Sequence, residues 1–244
     1  VVFAMNGALA KATELPHDHP RRKRLRGLAN YNGGILFRNL GQFEKAANYQ
    51  MAAAALELAA GNPDKSAISL FCAQVERTSD AFMSGDPDRI RSTVSTLYNL
   101  GRDMEGVMNR DWMDNVAIHI IEFHFLAKRS LPDHNWLLGL LDPKKTNFWP
   151  EIIHQLYVPS LCGEWETVLT NVDGLLDKWV AEPSSSTQKA IYGCVLAKAR
   201  ALRGTGHAET AESLVELMRT EFRKHHGGSD YLVVASREFY RSPD

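Results

Sequence analysis

Apolar residues recur at steps of three and four along almost the whole chain, and nowhere does strict apolar–polar alternation run for four cycles, so helices are predicted throughout. The pattern places them at 2–14, 20–39, 43–60, 63–83, 87–108, 111–129, 134–141, 147–160, 164–181, 185–203, 207–225 and 230–240. In the eleventh, Ala208, Ala211, Val215, Met218 and Phe222 share one face, while Glu209, Glu212, Glu216 and Arg219 take the other. Such a helix covers a neighbour on one side and meets water on the other. The segment holding Trp112, Met113, Val116, Ala117, Ile120, Ile121, Phe123 and Phe125 leaves little of its surface polar and is expected in the middle of a stack. The one strand-like piece, Tyr231-Leu232-Val233-Val234, is equally well explained by a short final helix.

Punctuation between these elements is regular. Gly61-Asn62-Pro63-Asp64 and Gly85-Asp86-Pro87-Asp88 are the same device used twice. The glycine ends one helix in the left-handed conformation, Asn62 or Asp86 caps the next, proline suits its first position, and the second acid complements the dipole. The stretch 131–150, with Pro132, Asp142, Pro143, Lys144 and Lys145, breaks the rhythm and is the candidate for an irregular insert.

Glycines that precede a second helix fall at Gly41, Gly85, Gly163 and Gly206, which suggests a degenerate unit of about forty residues. In the first unit Gly34, Phe37, Leu40, Gly41, Phe43, Ala46 and Ala53 stand at the spacings of a tetratricopeptide (TPR) repeat, which this unit resembles. Ala199, Leu202, Gly206, Ala211 and Val215 make a second match, Gly163, Trp165 and Val168 a third, and Gly85 with Ile90 a fourth. The unit departs from the family at Asn30 and Gly33, where large apolar residues are usual, and at Gln50, which replaces an aromatic. The resemblance implies an all-α fold, a right-handed α-α superhelix of stacked antiparallel helix pairs, formed as a single TPR-like domain over 1–244. The alternative from pattern alone is a compact helical bundle with glycine turns.

Bulk properties narrow the function classes. The chain has 244 residues, 28 basic against 29 acidic side chains and a formal charge of -1, so no overall pull toward nucleic acid or anionic lipid is expected. Cys72, Cys162 and Cys194 are odd in number and widely spaced, which suits reduced thiols in a cytoplasmic protein and gives no metal-ligand spacing. No stretch reaches the ~20 apolar residues of a membrane-spanning helix. The opening Val1-Val2-Phe3 suggests an excerpt or processed form of a longer chain, in which catalytic or DNA-binding parts would lie elsewhere.

Candidate chemistry is sparse. His119 and His124 flank Glu122, but five positions on a helix point the two imidazoles apart, so one buried, hydrogen-bonded histidine and one exposed histidine are expected in place of a metal site. His17-Asp18-His19 and His225-His226 fall at helix ends, and Gly33-Gly34 has neither the preceding strand nor the lysine of a phosphate loop. No nucleophile, base and orienting group come together, so neither an enzyme nor a cofactor is expected. The one basic block, Arg21-Arg22-Lys23-Arg24, would be the route to any nucleic acid; at a helix start its charge opposes the dipole, and Glu14 and Asp18 are the ready compensating partners.

In the TPR family the first helix of each pair lines a concave groove that receives a peptide or a neighbouring domain. Carried over by position, the resemblance nominates Tyr31, Arg38 and Asn39 from the first unit, Ser79 from the second, Tyr157 from the third, and Arg200 and Arg203 from the last. The function implied is a protein-interaction module, a scaffold or sensor in signalling. The alternative is a small-molecule-sensing domain of a signalling or transcription-regulating protein.

Overall fold

A computed structural model describes residues 2–141, 149–181 and 185–226. Every regular element among them is helical, and no strand occurs among the described residues. The helices are α1 (Val2–Thr13), α2 (Pro20–Asn39), α3 (Phe43–Ala59), α4 (Pro63–Ser84), α5 (Pro87–Asp103), α6 (Arg110–Leu126), α7 (His134–Leu140), α8 (Trp149–Ile152), α9 (Val158–Cys162), α10 (Trp165–Ala181), α11 (Ser185–Gly204) and α12 (Ala208–His226). A π-helical turn, Ile153–Tyr157, joins α8 to α9. The expected helix at 230–240 and the strand-like Tyr231–Val234 lie outside the described residues, as do 142–148 within the candidate insert, whose middle is occupied by α7.

Helix ends follow from the glycines. Gly41, Gly61, Gly85, Gly106, Gly163 and Gly206 all have positive φ, the region an L side chain avoids. At four of them the next two amides fold back on the departing helix in one pattern: Gly41 N–H to Arg38 and Gln42 N–H to Phe37, repeated at Gly61, Gly163 and Gly206. α6 ends the same way without glycine. Lys128 takes φ 52, its N–H meets the Phe125 carbonyl and Arg129 N–H meets that of His124, so the helix stops before the expected 129. α5 stops at Asp103, short of the expected 108, in turns that lead to Gly106.

The two proline devices differ in one member. Asp86 caps α5 by accepting from Asp88 and Arg89 amides at 3.0 and 3.2 Å, as expected. Asn62 does not cap α4; its amide instead donates to Glu57 Oε2 at 2.8 Å. The π turn has a local cause as well. Pro159 has no N–H to continue the ladder, and just before it Val158 N–H reaches the Ile153 carbonyl, five residues back.

The chain divides inside α6, between Val116 and Ala117. In the first unit α1 packs on α2, α2 on α3, α3 on α4 and α4 on α5. The α2–α3 pair is antiparallel and unusually close: a Cβ on Gly27 would lie 2.8 Å from Glu57 Oε1, one on Gly33 2.6 Å from the Tyr49 ring, and one on Gly34 2.5 Å from Gln50 Nε2. The departures at Gly33 and Gln50 are thus complementary, since α3 side chains fill the space that side chains on α2 leave. α4 is buried on most of its circumference, from Ser66 and Ala67 to Ala81 and Phe82, because neighbours cover it on several sides.

In the second unit α10 packs against the 149–162 segment and α11, and α11 packs on α12. The partners again run antiparallel: Trp165 meets Gly204 while Asp173 and Lys198 pair at 2.5 Å. Ala199, Ala211 and Val215 form a small core between α11 and α12, as the amphipathic pattern predicts for Ala211 and Val215.

Candidate functional site

α2 and α4 lie side by side in the same direction, because α3 runs back between them. Arg38 near the end of α2 pairs with Glu76 of α4, 38 residues further along the chain. Glu76 is 0% exposed, so its charge requires the guanidinium beside it. Burial works against the Arg38 charge, but Glu76, joined by Cys72 and Tyr31, more than offsets this and raises its pKa above the ordinary value. Two turns back on α2 and one turn back on α4 stand Tyr31 and Cys72, close enough for each to influence the other's titration. Burial, aided by Cys72, pushes the Tyr31 phenol up to about 12, and burial likewise raises the Cys72 thiol. These groups are neutral at physiological pH, and Cys72 is a poor nucleophile.

Toward the start of both helices the same face opens into a pocket of about 300 Å³. α2 contributes Arg24, Gly27, Leu28 and Tyr31, which recur along one stripe; α4 contributes Lys65, Ile68 and Ser69; Glu57 comes from α3 and Trp112 from the first turn of α6. Leu28 is 48% exposed, whereas Ser69 is 2% and Glu57 6% exposed. The walls are apolar and aromatic, with two basic side chains and one buried carboxylate among them.

The residues nominated from sequence scatter. Tyr31 and Arg38 lie on this face, half-buried, and Asn39 is exposed at the last position of α2. Ser79 is buried in α4, its hydroxyl donating to the Val75 carbonyl at 3.0 Å. Tyr157 is buried too, its ring stacked on Phe125 with centroids 4.2 Å apart, and burial lifts its phenol well above the usual range, with Glu122 adding to the effect. Neither presents surface to a partner in this structure. Arg200 is half-buried, donating to the Phe125 carbonyl at 3.2 Å with its guanidinium over the Phe125 and Trp165 rings; Arg203 is half-buried nearby on α11. Of the nominated set, then, only Tyr31 lines the pocket.

The basic block is arranged differently from expectation. His19 caps α2, its Nδ1 accepting from the Arg21 amide at 3.1 Å, and Arg22 donates to the Leu15 carbonyl at 2.7 Å. Among the described residues no ion pair joins Arg21, Arg22, Lys23 or Arg24 to Glu14 or Asp18. The histidines of α6 separate as the spacing requires. His124 is buried and donates through Nδ1 to the Ser130 carbonyl at 3.0 Å, while His119 is a third exposed and lies 3.4 Å from Glu122. Among the described residues no group of three or more histidine, cysteine or acidic side chains is placed to hold a metal ion. No described helix is long and apolar enough to cross a membrane.

The fold defines the class of protein only as all-helical, with sequential helices packed on one another. No protein-family model, curated protein or solved structure matches the chain.

Proposed function

We propose that this chain is a protein-interaction module, a scaffold or sensor of signalling, whose binding surface is the shared face of α2 and α4. The carrying observation is the pocket stripe itself: exposed Leu28, with Tyr31 and Trp112, stands beside Arg24 and Lys65, neither of which has an ion-pair partner among the described residues. An apolar anchor ringed by unpaired cations suits an extended segment bearing an apolar residue and acidic neighbours. Parallel α2 and α4, with α3 returning between them, are what a TPR-like stack would supply. We extend this to a right-handed superhelix of antiparallel pairs, with the buried thiols Cys72 and Cys194 suiting a cytoplasmic setting. Tyr31 and Arg38 belong to this surface, and Asn39 borders it.

Selecting displayed peptides against the whole chain and measuring their affinity by fluorescence polarisation tests the reading. The expected winners carry an apolar residue flanked by Asp or Glu, and they weaken as salt rises. Leu28→Asp lowers their affinity by roughly tenfold or more, the loss expected when one apolar anchor of a contact becomes charged. Because Leu28 is half exposed, the fold is expected to survive, and circular dichroism checks this. Peptides that bind Leu28→Asp as well as the parent would place the surface elsewhere.

A further inference from the structure

The charges of the pocket do not neutralise one another. Glu57 is nearly sealed from water, yet among the described residues no cation lies within ion-pair distance of its carboxylate, and Asn62, donating to Oε2 at 2.8 Å, is its one side-chain hydrogen-bond partner. A buried carboxylate is costly without a positive partner. Arg24 and Lys65 line the same pocket, and among the described residues no ion pair joins either of them to an acid. Ser69, a residue only 2% exposed, lines it as well. Leu28, Ile68 and Trp112 supply apolar wall between these polar groups.

We propose that this pocket binds a free α-amino acid with an apolar side chain. Its ammonium would meet Glu57, its carboxylate would meet Arg24 and Lys65 with Ser69 as an added donor, and its side chain would lie against Leu28, Ile68 and Trp112. Charge complementarity selects this ligand over simpler ones. An inorganic anion would satisfy the two cations and be repelled by Glu57. A plain amine would satisfy Glu57 and be repelled by Arg24 and Lys65. An internal peptide segment offers neither a free ammonium nor a free carboxylate on its backbone. A zwitterion carries both charges on one carbon, and a volume of about 300 Å³, at the small end of ligand pockets, suits one amino acid. The proposal uses the same face of α2 and α4 as the interaction reading, but it does not require a peptide partner.

The experiment is a thermal-shift and calorimetric titration of the whole chain with the apolar amino acids, each alongside its N-acetyl and carboxamide derivatives. The free zwitterion is expected to raise Tm in proportion to the logarithm of its concentration. Each derivative, lacking one charge, is expected to bind roughly tenfold or more weakly. Glu57→Gln preserves the shape and an oxygen for Asn62; it should weaken the free amino acid by a similar factor while leaving the N-acetyl derivative unchanged. Absence of heat and of a Tm shift with every apolar amino acid at millimolar concentration overturns the proposal, as does an N-acetyl derivative binding as tightly as its parent. If selected peptides still bind in a Leu28-dependent way when amino acids do not, only the amino-acid site fails; if amino acids bind and no peptide is selected, only the interaction reading fails.

Discussion

Gly34 has no room for a methyl group. The position a Cβ would take is 2.5 Å from the Gln50 amide nitrogen, and Gln50 is itself held by a 3.3 Å bond to the Tyr31 carbonyl. Buried in the α2–α3 interface, Gln50 cannot swing away without giving up that bond. Gly34→Ala is therefore expected to destabilise the protein by about 1–3 kcal/mol, the usual cost of overpacking, even though alanine is the better helix former. Urea denaturation measures it. Removing the obstructing side chain with Gln50→Ala in the same chain is expected to recover part of the loss, giving a non-additive double-mutant cycle. Additive losses would mean that the two side chains do not compete for the same space. Since Tyr31 lines the pocket, this contact also ties the helix packing to the geometry of the site.

At the scale of the element, the end of α6 carries a titration that the sequence makes visible only in part. The spacing of His119 and His124 predicts that they face different ways, and they do. It does not identify the acceptor, because Ser130 lies beyond the left-handed turn at Lys128, where helical periodicity no longer applies. Burial lowers the His124 pKa from 6.5 to about 4; the backbone of Ser130 and of Arg129 works against that shift, and the Arg129 charge works with it. Above pH 6.5 the imidazole is neutral in both folded and unfolded chains, and its contribution to stability is fully present. Between 6.5 and about 4 the unfolded chain takes up a proton that the folded one refuses, so stability falls as pH drops. The total is up to about 3 kcal/mol. His124→Asn, which can still donate to Ser130 but does not titrate, should remove this part of the pH dependence. In urea denaturation at pH 7 and pH 4.5, the difference in unfolding free energy between parent and variant should move by roughly 2–3 kcal/mol in the variant's favour at the lower pH. Parallel pH profiles would count against a buried neutral imidazole. The same division of legibility holds along the chain. Helix existence and most ends follow from apolar spacing, Gly and Pro, as at Gly85-Asp86-Pro87. The pocket depends instead on which residues of α2 face which residues of α4, a register set by the close approach of α2 to α3 at Gly27, Gly33 and Gly34. That is why Tyr31 was within reach of a positional argument, while Glu57, Lys65, Ser69 and Trp112 were not. A search for charged residues one or two turns from the nominated positions would have brought in Arg24, at i-7 from Tyr31.

On the scale of the whole molecule, each unit is built chiefly from contacts between successive helices, and this has a consequence for how stability is distributed. α3 is gripped by α2 and α4, α4 by α3 and α5, and α11 by α10, α12 and the 149–162 segment. Among the described residues α1 packs mainly on α2, and α12 mainly on α11. When contacts are mostly between nearest neighbours, a terminal helix can detach by losing one interface, whereas an inner helix must lose two. A compact bundle would instead bind every helix to several partners remote in sequence and open more nearly as a whole. Native-state amide exchange distinguishes the two. Within the first unit, α3 and α4 should exchange slowest and α1 fastest; within the second, α11 should exchange more slowly than α12. Uniform protection across α1 to α4, or protection of α12 equal to that of α11, would contradict nearest-neighbour stacking. The gradient also bears on the site, because the pocket side chains of α3 and α4, Glu57, Lys65, Ile68 and Ser69, then sit on the best-held helices of their unit. Occupation by a ligand should accordingly slow exchange most in α2, the pocket wall whose other neighbour is α1.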